Sequence, residues 1–520
     1  VARGRPGLTG ALVTAAVPLG FLAVFFVWPV LAIIRLGGGG GVAAVLSSSD
    51  TWRVVEFTVG QAAAATAVAV LTGLPVAFLL ARTALRGHTL VRAVVMVPFV
   101  LPTVVVGLAF RSLLGGGALP IILANAFFNV AVVARTVAAL WSHVDRRAED
   151  AARSLGAGRA RTFFSVTFPA LRPAVFSSAA VVFLFCATSF GVVLLLGGGE
   201  YSTLETEIYL RTVQLFDLPG AAALSLLQVT SVIAVLVIGA VLRRRSTTLN
   251  LRVDTARRPR GGEWFVVAAA YAVVIALLVP IISLVAKSSF NGFKALAGTG
   301  FRGSLQITGW DAALNSVKAA TYATLLALAL GVVACVALVT LSRTRARPSL
   351  VESIDTALML PLGVSAVTVG FGYLITLDKL PGDLRTSPML VPLAQALVVT
   401  PLVIRTLLPV LRSIDSRLRQ AAATLGASPW RVWREVDIPL ASRSFIAATA
   451  FAYAVALGEF GATSFLARPD SATLPVVIGR LVSRPGELNN QMAYAACALL
   501  MLVTTAIVIA VDRLGTVGEF

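Results

Sequence analysis

Apolar residues run along this chain in long blocks separated by shorter polar stretches. Blocks fall near residues 11–35, 57–81, 90–110, 119–141, 170–196 and 219–242, then near 264–286, 315–341, 354–377, 388–411, 442–466 and 490–511. A helix of about 20 apolar residues crosses the hydrocarbon core of a bilayer, and each block reaches roughly that length. In lipid a chain must satisfy its own backbone polar groups, which continuous blocks do as helices. The expected fold is an all-α integral membrane protein with about twelve transmembrane helices.

The polar stretches give the orientation. Arginines gather in alternate loops, 82–92, 142–169, 243–263, 342–353 and 412–441, and positive loops face the cytoplasm. An even number of spans then puts both termini on the cytoplasmic side of the cell membrane. The opposite loops are mixed, with Glu200, Glu205, Glu207 and Asp217 on one and Asp378, Lys379, Asp383 and Arg385 on another. Arg3 and Arg5 ahead of the first apolar block read as a signal anchor. The stretch around 243–263 starts with Arg243-Arg244-Arg245 and includes Arg257-Arg258-Pro259-Arg260-Gly261-Gly262, a composition expected of a flexible cytoplasmic tether. The division expected is a first six-span module over 1–245, a linker over 246–263 and a second six-span module over 264–520. Both modules begin inside, so the repeats are parallel.

One polar island occurs twice. Asp145 to Pro169 reads DRRAEDAARSLGAGRARTFFSVTFP, and Asp415 to Pro439 reads DSRLRQAAATLGASPWRVWREVDIP. Asp145, Arg147, Ala151, Ala152, Leu155, Gly156, Ala157, Arg161, Val166 and Pro169 each meet an identical residue 270 positions later. Ala148, Ala151, Ala152 and Leu155 lie on one helix face, as do Leu418, Ala421, Ala422 and Leu425. Asp145 and Asp415 suit helix starts, and Gly156 and Gly426 suit left-handed helix ends. In the second copy Ser428 and Pro429 open a further short helix, and Pro169 and Pro439 are expected to close the islands. A narrow face of alanine fits a shallow groove on a partner; the alternative is a pair of amphipathic loops on the membrane surface. The repeat extends outward through Arg135-Thr136 and Arg405-Thr406, Phe190-Gly191 and Phe460-Gly461, and Thr203-Leu204 and Thr473-Leu474. Met96-x-Pro98-x8-Gly107 and Met359-x-Pro361-x8-Gly370 match at an offset of 263, a difference ascribed mainly to an insertion near the loop 378–387.

The pattern acid-Ala-Ala-x3-Gly-x9-apolar-x-apolar-Pro resembles the EAA loop of permease subunits of ABC importers. Here it reads Asp150-Ala151-Ala152-x3-Gly156-x9-Val166-Thr167-Phe168-Pro169, and Gln420-Ala421-Ala422-x3-Gly426-x9-Val436-Asp437-Ile438-Pro439. The second copy departs from the pattern at the acid, where Gln420 stands. The resemblance implies that each island is a coupling loop docking on a cytoplasmic ABC ATPase, two copies in all. It implies an extracytoplasmic solute-binding protein as a further partner, with ATP and Mg on the ATPase and no cofactor in this chain. Among such permeases the fused members that carry thiamine are most similar, with the ferric-iron members next. The stretches carrying this include Trp52-Arg53-Val54-Val55-Glu56, Ala124-x-Ala126-Phe127-Phe128-Asn129, Ser189-Phe190-Gly191-Val192-Val193-Leu194-x-Leu196-Gly197-Gly198-Gly199, Thr203-Leu204-Glu205-x-Glu207-Ile208-Tyr209 and Gly458-Glu459-Phe460-Gly461. A gradient-driven secondary transporter is the alternative from another class.

Composition agrees with the membrane reading. The 520 residues are 58% hydrophobic and 13% charged, too little charge to cover a water-soluble domain of this length. The net charge of +19 sits in the alternate loops, facing anionic lipid rather than nucleic acid. No G-x4-G-K-[ST] loop occurs, nor a nucleophile-base or paired-acid arrangement, so the chain reads as a transport subunit and not an enzyme. Cys186, Cys335 and Cys497 lie in apolar blocks, and His88 and His143 in polar loops, without metal spacing. Glu459, in an apolar block, is the candidate for the solute pathway, against a structural role at a helix break. Arg135 and Arg405 are candidates to brace the islands.

Overall fold

A computed structural model of the chain describes residues 8–38, 41–244, 256–344, 347–376 and 387–515. Arg3 and Arg5, linker residues 246–255 and most of the loop 378–387 therefore lie outside the described residues. The described regular structure is helical, apart from an isolated bridge between Thr83 and Arg257. Among the described residues ten helices are long and apolar enough to cross a membrane, and up to twelve if two bent pairs are each taken as a span.

Those bent pairs correct the expected outline. The blocks at 90–110 and 354–377 are not straight helices. His88–Val100 turns by 100° into Thr103–Leu114, and Pro348–Gly363 turns by 93° into Ala366–Thr376. Leu101 precedes Pro102 and is extended, with φ −65° and ψ 136°, because the proline ring crowds a preceding helical residue. In the second bend Pro361 sits in a tight turn over Leu360–Gly363, Val364 is extended, and the Ser365 hydroxyl accepts from the N–H groups of Val367 and Thr368.

The chain forms two compact units. The first comprises Ala43–Glu207 and Leu227–Ser289; the second comprises Val1–Val42, Ile208–Leu226 and Phe290–Phe520. Grouping in space thus differs from order in sequence. In the first unit Glu263–Lys287, the opening span of the second half, packs on Ser49–Arg82 and Thr103–Leu114. There the Ser283 hydroxyl meets the Ser112 hydroxyl at 3.0 Å and Lys287 donates to the Ser112 carbonyl at 2.9 Å. In the second unit the chain's first helices, Leu8–Leu22 and Trp28–Gly37, pack on Gly309–Arg343 and Ala366–Thr376.

Each unit is built around a long helix carrying small residues on its packed side. Ser49–Arg82 buries Ala62, Ala65, Ala69 and Ala77 against Ala118–Trp141 and Phe168–Ala187. Gly73 sits so near Val133 that an added Cβ would stand 2.8 Å from the valine Cβ, and in the second unit a Cβ on Gly331 would stand 2.6 Å from Val403 Cγ1. Lipid gives helices little hydrophobic reason to associate, so close backbone approach over small residues holds such pairs together.

The segments between the last two long helices of each half are not solvated loops. Leu204–Val213 and Leu474–Val482 are helices. In the first unit the Leu204 N–H donates to Thr58 Oγ1 at 3.1 Å, and in the second the Leu474 N–H donates to Ser316 Oγ at 2.7 Å. The same device ties the opening of the short helix to the long one in both units.

Candidate coupling loops and buried polar sites

The first island folds as the helix Arg146–Ser154, started by Asp145, whose carboxylate accepts from the Arg147 N–H at 2.9 Å. It ends on Gly156 at φ +84°, with Gly156 N–H donating to the Arg153 carbonyl and Ala157 N–H to the Ala152 carbonyl. This pair of bonds satisfies carbonyls that the last turn leaves open, and the left-handed residue between them favours glycine. The second island repeats it as Ser416–Thr424, with Asp415 capping Arg417, Gly426 at φ +85° and Ala427 bonded to Ala422.

Both islands then run through a short helix, Arg159–Thr162 or Pro429–Val432, and a five-residue π turn, Phe163–Thr167 or Trp433–Asp437. Helices Phe168–Ala187 and Ile438–Gly458 follow. Every boundary from the island start to the start of these helices recurs at the offset of 270 residues. Pro169 and Pro439 do not close the islands as expected. They stand in the first turn of the rising helix, where a π turn has already shifted the bonding pattern and a missing N–H is tolerated.

The predicted faces point outward. Asp150, Ala151 and Gly156 are exposed and Ala152 is half-buried, and Gly426 is exposed alongside the half-buried Ala422. Gln420 and Ala421 share that outer surface. Leu155 and Leu425 at the helix ends are 89% and 88% exposed. Two leucines presented at equivalent positions, beside the exposed Ala151 and Ala421, have the character of a partner surface.

A buried polar contact fastens each island, and the sequence reading missed it. In the first copy Arg82, at the end of Ser49–Arg82, meets Glu149 at 2.8 Å, with side chains 4% and 12% exposed. Thr167, on the π turn, donates to the same carboxylate at 2.9 Å, and Arg82 also donates to the Val144 carbonyl at 2.9 Å. In the second copy Arg419 stands at the position of Glu149 and Asp437 at the position of Thr167. Arg419 pairs with the buried Asp437 and donates to the Ile414 and Leu411 carbonyls, each at 3.1 Å. The same two positions join helix to π turn in both copies, by an acid and a hydroxyl in one and by a base and an acid in the other. The alignment at 270 displayed both changes. Arg135 and Arg405, the expected braces, are exposed on their helices, and the arginine in contact with the first island is Arg82.

Glu459 lies at the break between Ile438–Gly458 and Thr463–Leu466, and it is buried. Its carboxylate accepts from the Ala462 N–H at 2.7 Å, the Thr463 N–H at 3.0 Å and the Thr463 hydroxyl. All three donors belong to the next turn, so the carboxylate starts the short helix, which accords with the structural alternative. Ser189 occupies the corresponding break in the first copy. Glu205, read as part of an outer loop, is instead fully buried and accepts from Gln228 Nε2. Nearby in the first unit Gln61 donates to the Cys186 carbonyl at 2.7 Å and accepts from Asn125 at 2.9 Å, and Asn129 donates to the Asn125 carbonyl at 2.8 Å. These amides sit inside apolar blocks, where a window average conceals them.

Comparison with known proteins places these features. The family described as "Binding-protein-dependent transport system inner membrane component" matches residues 73–248 and 344–515, more than half the chain and both islands. The thiamine transport system permease protein of Brucella abortus (strain 2308) is 28% identical, over 96% of this chain and 95% of its own length. That of Escherichia coli (strain K12) is 24% identical, over 88% and 90%. A putative 2-aminoethylphosphonate transport system permease protein of Salmonella paratyphi A (strain ATCC 9150 / SARB42) is 26% identical, over 49% of this chain but 96% of its own.

Proposed function

This chain belongs to the family of binding-protein-dependent transport system inner membrane components, and from that premise we propose that thiamine is its solute. Members of the family are the multi-pass inner-membrane permeases of ABC importers; ATP is bound and hydrolysed on a partner ATPase, and a binding protein supplies the solute. A gradient-driven mechanism does not fit such a component. Thiamine rests on one observation: relatives named for thiamine transport align along 96% of the chain, across both modules. Ferric iron finds no support among these relatives.

Two ATPase subunits dock, one at 145–169 and one at 415–439, through Asp150, Ala151, Ala152 and Gly156 and through Gln420, Ala421, Ala422 and Gly426. Supporting this are the duplicated geometry and the exposed Leu155 and Leu425. Both termini lie in the cytoplasm, as the arginine-rich alternate loops require. Closure of the ATPase pair on ATP moves the two islands and favours one of two conformations of the permease, a population shift driven by differential binding. The binding protein delivers thiamine from the other side.

The test is uptake of labelled thiamine by cells expressing the chain with its ATPase and binding protein, with ferric iron and 2-aminoethylphosphonate in parallel. Gly156→Pro combined with Gly426→Pro is the coupling control. Proline cannot adopt φ of +84° or +85°, so the island ends are lost while the spans remain. Thiamine uptake abolished in that variant, with the protein still in the membrane, is the expected result. Uptake of another solute alone replaces the substrate; normal uptake by the double variant overturns the coupling assignment.

A further inference from the structure

Beside the first island lies a pocket of about 290 Å³ into which Arg146, Arg153, Arg159, Arg257 and Arg260 converge. Its two acids do not offset them. Glu263 is occupied by Arg257 at 2.9 Å and by the Arg260 backbone N–H at 2.9 Å. Asp150 has a largely exposed side chain and lies 3.9 Å from Arg153. Five guanidinium groups thus face two carboxylates around a space that admits a small oxyanion.

The repeat shows that the island does not need this charge to fold. Arg146, Arg153 and Arg159 are replaced by Ser416, Ala423 and Pro429 in the second copy, which has the same caps, glycine end and π turn. What the first copy has in addition is the linker. Its described part is docked rather than flexible as expected: the Ala84 N–H donates to the Arg257 carbonyl at 2.9 Å, and the Arg257 N–H to the Arg82 carbonyl at 3.3 Å. Residues Gly261 and Gly262 then pass under Arg159 so closely that a Cβ at Gly262 would stand 2.0 Å from its Nη1. The bare glycine backbone lets the Arg159 guanidinium lie against the linker, next to its arginines.

We propose that this pocket binds a phosphate-bearing anion. Guanidinium forks match the geometry of phosphate oxygens, and several forks converging from two segments supply charge-assisted bonds in different directions. The phosphate comes either from an anionic lipid headgroup or from a soluble phosphorylated compound, and both present the same oxygens.

The experiment uses the full-length chain in nanodiscs. In phosphatidylcholine nanodiscs it is titrated with inorganic pyrophosphate by calorimetry; in nanodiscs that also contain phosphatidylglycerol, retained lipid is counted by native mass spectrometry. The test variant is Arg159→Gln with Arg260→Gln, and the control is Arg434→Gln with Arg417→Gln on the second island. Gly262→Ala keeps every charge but pushes the Arg159 guanidinium aside, and it carries the test should the double variant fail to fold. Pyrophosphate binding at least about tenfold weaker in the test variant, falling with salt, identifies a soluble ligand. Loss of retained phosphatidylglycerol instead identifies the headgroup. Wild-type protein that binds neither probe, or a control that loses as much as the test variant, overturns the proposal.

Discussion

The differing ties of the two islands allow a transplant. Glu149→Arg alone removes the carboxylate that holds Arg82 and accepts from Thr167, and it sets a second guanidinium against Arg82. Both partners are nearly buried, with side chains 4% and 12% exposed, so solvent does little to screen the loss. Breaking such a pair from one side costs about 3–5 kcal/mol. At about 1.4 kcal/mol per decade, the docked position of the first island loses roughly a hundredfold or more in population. Adding Thr167→Asp gives the first copy the pair found in the second, with a base at position 149 and an acid at position 167 arranged as Arg419 and Asp437 are. The single variant should hydrolyse ATP with little solute moved, measured in proteoliposomes as solute per ATP; the double variant should recover most of that ratio. A single variant coupled like wild type, or a double variant no better than the single, would refute the view that these positions fasten the islands.

Three further outcomes follow from particular contacts. Leu155→Ser with Leu425→Ser changes two side chains that are 89% and 88% exposed, so melting of the permease in detergent should be unchanged while the ATPase no longer co-purifies; an intact complex argues against the docking surface. Gln228→Leu removes a donor from the buried Glu205 and should lower the melting temperature, by a loss of about 1–3 kcal/mol or more, whereas Glu205→Leu with Gln228→Leu should be milder because both polar partners are gone. Glu459→Gln turns one of its two acceptor oxygens into a donor facing the N–H and O–H groups of the next turn, so it should lower stability more than it changes the apparent solute affinity. The reverse ranking would return Glu459 to the solute pathway.

Much of this was legible in the chain because its signals are local. A capping aspartate, an alanine face and a glycine needing positive φ lie within a dozen residues of one another, and the islands formed at the expected starts and glycine ends. The bends at Leu101–Pro102 and around Pro361 were half legible. The prolines and their shared spacing from Gly107 and Gly370 were visible, but mean apolarity does not distinguish one straight span from two short helices. Charge alone places Glu205 in a loop, although Thr203-Leu204 recurs at Thr473-Leu474 and so marks the segment as built. Which span packs on which was not legible. An apolar stripe records that a helix avoids water, and in lipid it does not record whether its neighbour is an acyl chain or a helix of the other half.

The differences between the halves carry information that their likeness does not. Two islands with coincident boundaries share the capping aspartate, the alanine pair, the glycine at positive φ and a polar tie, between positions 149 and 167 in one and 419 and 437 in the other. Anything present in one copy alone is dispensable to that fold and must be explained otherwise. Glu149 against Arg419 passes this test as one device in two forms, because a second position changes with it and the contact survives. Glu459 against Ser189 is a single change, and its three donors belong to the adjacent turn, so it answers to a local helix start. The arginines at 146, 153 and 159 fit neither case. They are absent from the second copy without compensation and meet further arginines from a linker that only a fused chain possesses, so their charge serves something other than the island itself.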